Sequence, residues 1–428
     1  MIRLGALDRE IVRLALPALG ALAVEPLVSM TDTAFVGRLG AEPLAALGVT
    51  TALLTLFFVV FNFLSYATTP RVARSLGAAG RAAALAQAGH ALWLALLLGV
   101  LATLVLELLA PGLVRLMGAG DAVYPLALGY LRLRALAGLA ILWLMAAHGI
   151  YRGLQDTRTP FWVAFWVNAS NVLLDYLFIF PLGMGLMGAA LASLLAQSAG
   201  AAWFYLSLRR LGAVRPWPGL APLLPFLRVG GELLLRTFSL VAVITLAAAV
   251  AARAGTVAVA AHQVAWQVWL FIAMSVDALA IAAQALVARY RGEDRTQARR
   301  VADRLLFWGL LVGVLLSLLL LLGRAWIPRV FTSDAAVLAA LAGVWPLIWA
   351  AQPLNALVFV WDGIFMAAEQ FRFLAAAMLL AAAAGALEML LVVPLGWGLV
   401  GVWWGMVLIN LVRAATLGWG YWRGRMVS

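Results

Sequence analysis

The sequence predicts an all-α integral membrane protein of twelve transmembrane helices, arranged as two six-helix bundles related by a pseudo-two-fold axis along the membrane normal. Three observations lead there. Of 428 residues, 65% are hydrophobic and only 11% charged, with mean hydropathy +1.02, whereas soluble domains run about 45–50% apolar and about 25% charged. Apolar blocks longer than about 18 residues, enough to cross a bilayer as helix, recur between short polar breaks. The second half also repeats the first. PLGMGLMGAALAS from Pro181 aligns with PLGWGLVGVWWGM from Pro394, GRLGAEPLAA from Gly37 with ARAGTVAVAA from Ala252, and VARSLG from Val72 with VARYRG from Val287, at offsets near 213–215 residues. An even number of spans separates equivalent segments, so both halves share one orientation, an arrangement known in transporters.

Taken in order, the spans fall near 11–37, 43–68, 84–110, 123–151, 160–181 and 184–208, then 228–251, 258–288, 303–323, 335–367, 371–393 and 398–421. Residues 1–212 form an N-terminal lobe, 213–227 a cytoplasmic Pro-rich linker (Arg215, Pro216, Pro218, Pro222, Pro225), and 228–428 a C-terminal lobe. Substrate is expected to pass between the lobes.

Net charge is +12 and every basic residue is an arginine. In a soluble chain this would suggest nucleic acid, but here the bias towards cytoplasmic loops explains it. Alternate breaks carry Arg71, Arg74 and Arg81, Arg152 and Arg158, Arg209 to Arg228, Arg289 to Arg304, Arg372, and Arg423 with Arg425. The opposite side holds few, among them Arg38, Arg115, Arg132, Arg134 and Arg253. Both termini are therefore expected in the cytoplasm, and no signal-peptide pattern precedes the first span. The absence of cysteine excludes disulfides, thiolate catalysis and Cys-ligated metal. His90, His148 and His262 are too scattered for a metal site. No HExxH, GxSxG or P-loop motif is present, which argues against an enzyme and against ATP-driven transport.

Function is expected where charge sits inside an apolar span. A carboxylate at a helix centre costs about 2.5–3.5 kcal/mol on insertion scales, so an intramembrane acid is a site candidate by default. The first span, LALPALGALAVEPLVSMTDTAFVGRLG, carries Glu25 and Asp32 two helical turns apart on one face. Pro17 and Pro26 each remove a backbone hydrogen bond and offer hinges. In the fifth span Asn171 and Asp175 stand i, i+4 on one face, where amide and carboxylate can hydrogen-bond or share a cation. Ser193 and, one turn on, Gln197 add polar positions in the sixth. Gly183, Gly185 and Gly188 are expected to let helices approach closely.

The second half lacks most of this: Ala247 falls opposite Asp32 and Ala384 opposite Asn171, while Glu388 falls opposite Asp175. Glu25, Trp143, Asp277, Gln284 and Asp362 are candidates for lining a cavity, with Glu232 and Glu388 as second-lobe acids. His148 and His262 read as packing residues, and most tryptophans as interfacial anchors, although Trp143, Trp266 or Trp269 suits a flat cation.

EPLVSMTDTAFVGRLG in the first span, YRGLQDTRTP after the fourth and AHQVAWQVWLFIAMSVDALAIAAQALV in the eighth resemble the MATE (multidrug and toxic compound extrusion) transporters, most closely their DinF branch. The resemblance covers essentially the whole chain. It implies two six-helix lobes in a V and export of organic, often cationic compounds in exchange for protons or sodium. It further implies an N-lobe site at Asp32, Asn171, Asp175 and Ser193, Ser193 standing where threonine is common, and bending of the first helix at Pro17. In another branch a span-seven glutamate and a span-ten aspartate contribute, and Glu232 and Asp362 lie in comparable regions. The second-half AAEQ departs from the family's acidic pattern at Gln370.

The expected activity is secondary multidrug antiport, with protonation of the Asp32–Asp175 pair as the switch and no cofactor. One carboxylate charge is worth about 3 kcal/mol at membrane depth, and moving an equilibrium from 1:99 to 99:1 takes about 5.5 kcal/mol. Two coupled acids suffice where one does not. Sodium at Asp32, Asn171 and Asp175 is the alternative coupling ion. A flippase for lipid-linked precursors is a third reading, although few arginines fall mid-span apart from Arg236 and Arg413. The expected partners are small organic molecules and membrane lipid, with no nucleic acid, and the protein is expected to be a monomer.

Overall fold

The computed structural model describes residues 4–117 and 120–424, apart from the side chains of Leu4, Glu25 and Leu27. Every regular element among them is helical: α1 (Leu4–Gly37), α2 (Ala41–Val59), α3 (Phe63–Leu116), α4 (Val123–Ala135), α5 (Gly138–Gly153), α6 (Arg158–Ile179), α7 (Gly185–Arg210), α8 (Leu224–Arg253), α9 (Thr256–Glu293), α10 (Arg295–Leu322), α11 (Ile327–Phe331), α12 (Ala335–Ala350), α13 (Gln352–Ala367), α14 (Phe371–Val392) and α15 (Gly398–Trp422).

Among the described residues nine helical stretches are long and apolar enough to cross a membrane, and eleven once each of two bent pairs counts as one. The stretch Ala41–Leu116 runs 76 residues, far more than the ~20 that fill a bilayer. Its helix breaks at Gly80, where φ 78° and ψ −172° are not helical. Divided there, it supplies two spans and brings the total among the described residues to twelve.

The internal repeat is written in the backbone. The bent pairs α4–α5 and α12–α13 turn by 48° and 49°. The described non-glycine residues with positive φ are Gln155 (64°) and Glu369 (57°), in equivalent corners of the two halves. Gly40 and Gly255 pair at φ 120° and 123°, Gly183 and Gly396 at 63° and 67°, and Gly185 and Gly398 both at 56°. L-residues with a Cβ rarely adopt this conformation, so glycine is the residue these corners require. Gly183 and Gly185 thus serve the turn, not helix contact. Gly188 does serve contact, since a Cβ there would lie 2.9 Å from the Phe178 backbone.

Two compact units make up the chain. One takes Leu16–Gly230, the other Gly231–Ser428 together with Met1–Ala15. In the first, α3 and α5 pack through small residues: a Cβ on Gly149 would meet Ser65 O at 2.9 Å, and one on Gly153 would meet Thr69 O at 2.9 Å. Close backbone approach of this kind is how apolar helices associate where lipid removes the hydrophobic drive. In the second, Gly313 of α10 lies against Pro353 and Gln352 of α13 in the same way.

The sequence-based boundaries shift for electrostatic reasons. Asp8 binds Arg304 through both oxygens at 2.7 Å and accepts from Trp308 Nε1 at 2.8 Å, while Tyr290 donates to Glu10 at 3.0 Å. These partners tie the first turns of α1 to the second unit. The Pro-rich linker belongs with the first: Trp93 Nε1 donates to Arg215 O at 2.9 Å, and the Arg71 guanidinium lies over Phe226 and donates to Pro225 O.

Candidate coupling site

The sequence places two acids, an amide and a hydroxyl on three separate helices, and the fold brings them together within the first unit. On α6, Asn171 Nδ2 donates to Asp175 Oδ2 at 3.1 Å, as the i, i+4 spacing dictates. The same amide lies 3.4 Å from Ser193 Oγ on α7. Asp175 is wholly buried, and Asn171 and Ser193 nearly so. Asp32, half-buried on α1, brings its carboxyl to face that of Asp175, close enough for each to act on the other.

Two carboxyls share a hydrogen bond only if one is protonated, and two anions at this range need a proton or another cation between them. Asp32 Oδ1 and Asp175 Oδ1 are buried and, the carboxyl contact aside, have no partner among the described residues. The site therefore has acceptor capacity to spare for a cation. Asn171 Oδ1 and Ser193 Oγ supply further oxygens.

Arg134 completes the cluster. Its guanidinium acts electrostatically on Asp32, Asp175 and buried Tyr130, and donates to Gln197 Oε1 at 2.9 Å. The sequence reading counted Arg134 among the arginines of the outer side, although its fourth span, 123–151, contains the residue. It lies inside α4, the first half of a bent span. The available signal was the apolar surroundings of YLRLRALAGLAILW, which a tally of loop arginines passes over.

The remaining candidates scatter. Pro17 and Pro26 both lie inside an uninterrupted α1. The side chain of Glu25 lies outside the described residues. Trp143 lines a pocket of about 550 Å³ between α3, α5 and α7, with Trp93, Tyr205 and Arg215. In the second unit Asp277 is half-buried and Gln284 fully buried on α9. Asp362 is locked, not open: Arg236 NH2 donates to its Oδ2 at 2.5 Å, Arg413 binds the same oxygen, and all three side chains are largely buried. Glu232 lies 3.8 Å from Arg372. His148 stacks edge-on against Phe204 and His262 packs on Trp403, as packing residues do. Among the described residues no group of three or more metal-ligating side chains forms a metal site.

Comparison with known proteins agrees with this architecture. The MatE family profile matches residues 17–177 and 233–389, one segment in each half. Protein DETOXIFICATION 44, chloroplastic, of Arabidopsis thaliana is 34% identical, over 97% of this chain and 82% of its own length. DNA damage-inducible protein F of Escherichia coli is 27% identical, over 97% and 92%. Among solved structures, the outward-facing conformation of a multidrug resistance MATE family transporter superposes with TM-score 0.85 at 25% identity, covering 97% of this chain and 96% of that one. With both halves matched and twelve spans in two six-helix units, the chain belongs to the MatE family of multi-spanning membrane transporters.

Proposed function

We propose that the protein is a secondary multidrug antiporter that exports organic, often cationic or amphipathic compounds in exchange for protons. The observation that carries this reading is the facing Asp32–Asp175 carboxyl pair, with an unpartnered buried oxygen on each. With the pair charged, the surrounding cavity holds water and a cation; with protons bound, charge is lost, the cavity dries, α1 bends near Pro17 or Pro26, and substrate leaves outward. Arg134 lies within electrostatic reach of both acids and offsets part of the pair's negative charge. Alternating access follows from coupling that neutralisation to the hinge. Both termini face the cytoplasmic side of a bacterial inner membrane, the side on which the arginines gather. The similarity to the Escherichia coli DNA damage-inducible protein F supports a place in the DinF branch.

Efflux of ethidium or norfloxacin from proteoliposomes under an imposed pH gradient, without sodium, tests the reading. Export that Asp32→Asn or Asp175→Asn abolishes is the expected result; undiminished proton-driven export in either variant refutes the pairing. Sodium coupling is the second reading. It is favoured by the oxygen set of Asp32, Asp175, Asn171 and Ser193, and it predicts export only under a sodium gradient.

A further inference from the structure

The second unit contains a charged group that this mechanism leaves unused. Glu388 on α14 stands at the repeat position of Asp175, but its environment differs. Both carboxylate oxygens are buried and neither has a hydrogen-bond partner among the described residues. A buried unpaired carboxylate is costly unless something neutralises it. No described residue is ion-paired with it: the buried arginines Arg236 and Arg413 of this unit bind Asp362. Room for the carboxylate comes from Gly405 on α15, where any Cβ would collide with Glu388 Oε2.

Glu388 opens onto a pocket of about 620 Å³, whose other walls are Trp397, Val400, Trp404, Leu408 and Leu411 with Gly401. These positions recur every three to four residues, so they form one stripe along α15 and the turn before it. Both indoles are about half exposed, 45% for Trp397 and 52% for Trp404. One anion set in an apolar groove with two aromatic faces is the chemistry that holds a lipophilic organic cation: the charge meets the carboxylate, the rings meet indole, and no hydrogen bond is needed.

We infer that the α14–α15 groove is a second binding site for organic cations, with Glu388 as the counter-charge and Trp397 and Trp404 as the walls. This deepens the proposed export function, on whose topology the groove lies near the outer end of the spans, where a cation would be held before release.

The test is equilibrium binding of tetraphenylphosphonium to the purified full chain in phosphatidylglycerol nanodiscs, which contain no ammonium headgroup. Glu388→Gln is expected to raise Kd at least tenfold and Trp404→Ala several-fold, while Glu388→Asp retains most of the affinity. Neutral triphenylphosphine oxide is expected to bind without regard to residue 388. The melting temperature of each variant confirms that it is folded. An unchanged Kd in folded Glu388→Gln overturns the inference. So does a Glu388-dependent loss of binding when half the lipid is replaced by phosphatidylethanolamine, since the groove would then belong to a lipid ammonium. Binding is read without transport, so Glu388-dependent affinity in a protein that fails to export keeps this site and removes the antiport reading. Export with Glu388-independent affinity does the reverse.

Discussion

Asp175 faces the Asp32 carboxyl of α1 on one side and accepts from the Asn171 amide at 3.1 Å on the other, so a wholly buried acid of the first unit meets polar groups of two helices. The arrangement makes the pair one titrating unit and not two independent groups. Asp32→Asn and Asp175→Asn are each expected to lower proton-driven efflux at least tenfold, and the double variant to be little worse than either single one. Initial efflux rates in proteoliposomes measure this. Additive losses would mean the acids act separately.

Arg134 is expected to be needed for coupling and not only for folding. Arg134→Met removes the bond to Gln197 and the positive charge beside both acids, whereas Gln197→Leu removes only the bond. A charge-assisted hydrogen bond is worth about 1.5–3 kcal/mol, so both variants lose stability of that order in a thermal melt. Only Arg134→Met is expected to uncouple export from the proton gradient. Equal coupling in the two variants would reduce Arg134 to a structural role.

Asp362 is expected to behave as a structural acid. Asp362→Asn takes from the Arg236 and Arg413 guanidiniums the carboxylate that both bind, and breaking a buried pair this way costs about 3–5 kcal/mol. A marked drop in melting temperature follows. Replacing all three residues by apolar ones of similar size is expected to restore much of it. If folded Asp362→Asn keeps its melting temperature and loses export, the residue is part of the transport machinery instead.

Pro17→Ala and Pro26→Ala each return a backbone donor to a helix that is already continuous through both prolines. Stability is expected to rise or hold steady, and export to fall if α1 must bend. Retained export in both variants would remove the hinge from the mechanism.

The packing of α3 on α5 is tight enough to be tested by volume alone. Gly149→Val places side-chain atoms where Ser65 and Thr68 already stand, and overpacking of this kind costs about 1–3 kcal/mol. The melting temperature should fall. Gly112→Val on α3, where nothing lies within 4 Å, is the control.

What the sequence disclosed, and what it withheld, follows from the solvent. Asp32, Asn171, Asp175 and Ser193 could be read because an apolar span gives a polar side chain no bland alternative, and the i, i+4 spacing aligned two of them. Twelve spans could be counted for the same reason, the second and third meeting at the break at Gly80. Arg134 was missed because arginine is the usual residue of span ends, and at the last turn of α4 it was counted as an outer-side charge and not as part of the site. Asp362 and Asp32 look alike in sequence, and only the guanidiniums brought from α8 and α15 separate a locked acid from an available one. The first turns of α1 went to the wrong partner because contiguity says nothing of Asp8 finding Arg304.

The matched left-handed corners at Gln155 and Glu369 carry a consequence for how such a molecule changes. Two stretches that now share few letters still turn the chain alike, so the scaffold was inherited whole and divergence fell on what hangs from it. The two halves differ in the amide beside the acid, Asn171 against Ala384, on a backbone that has the same place for it. Writing that amide in would need one substitution and no new architecture.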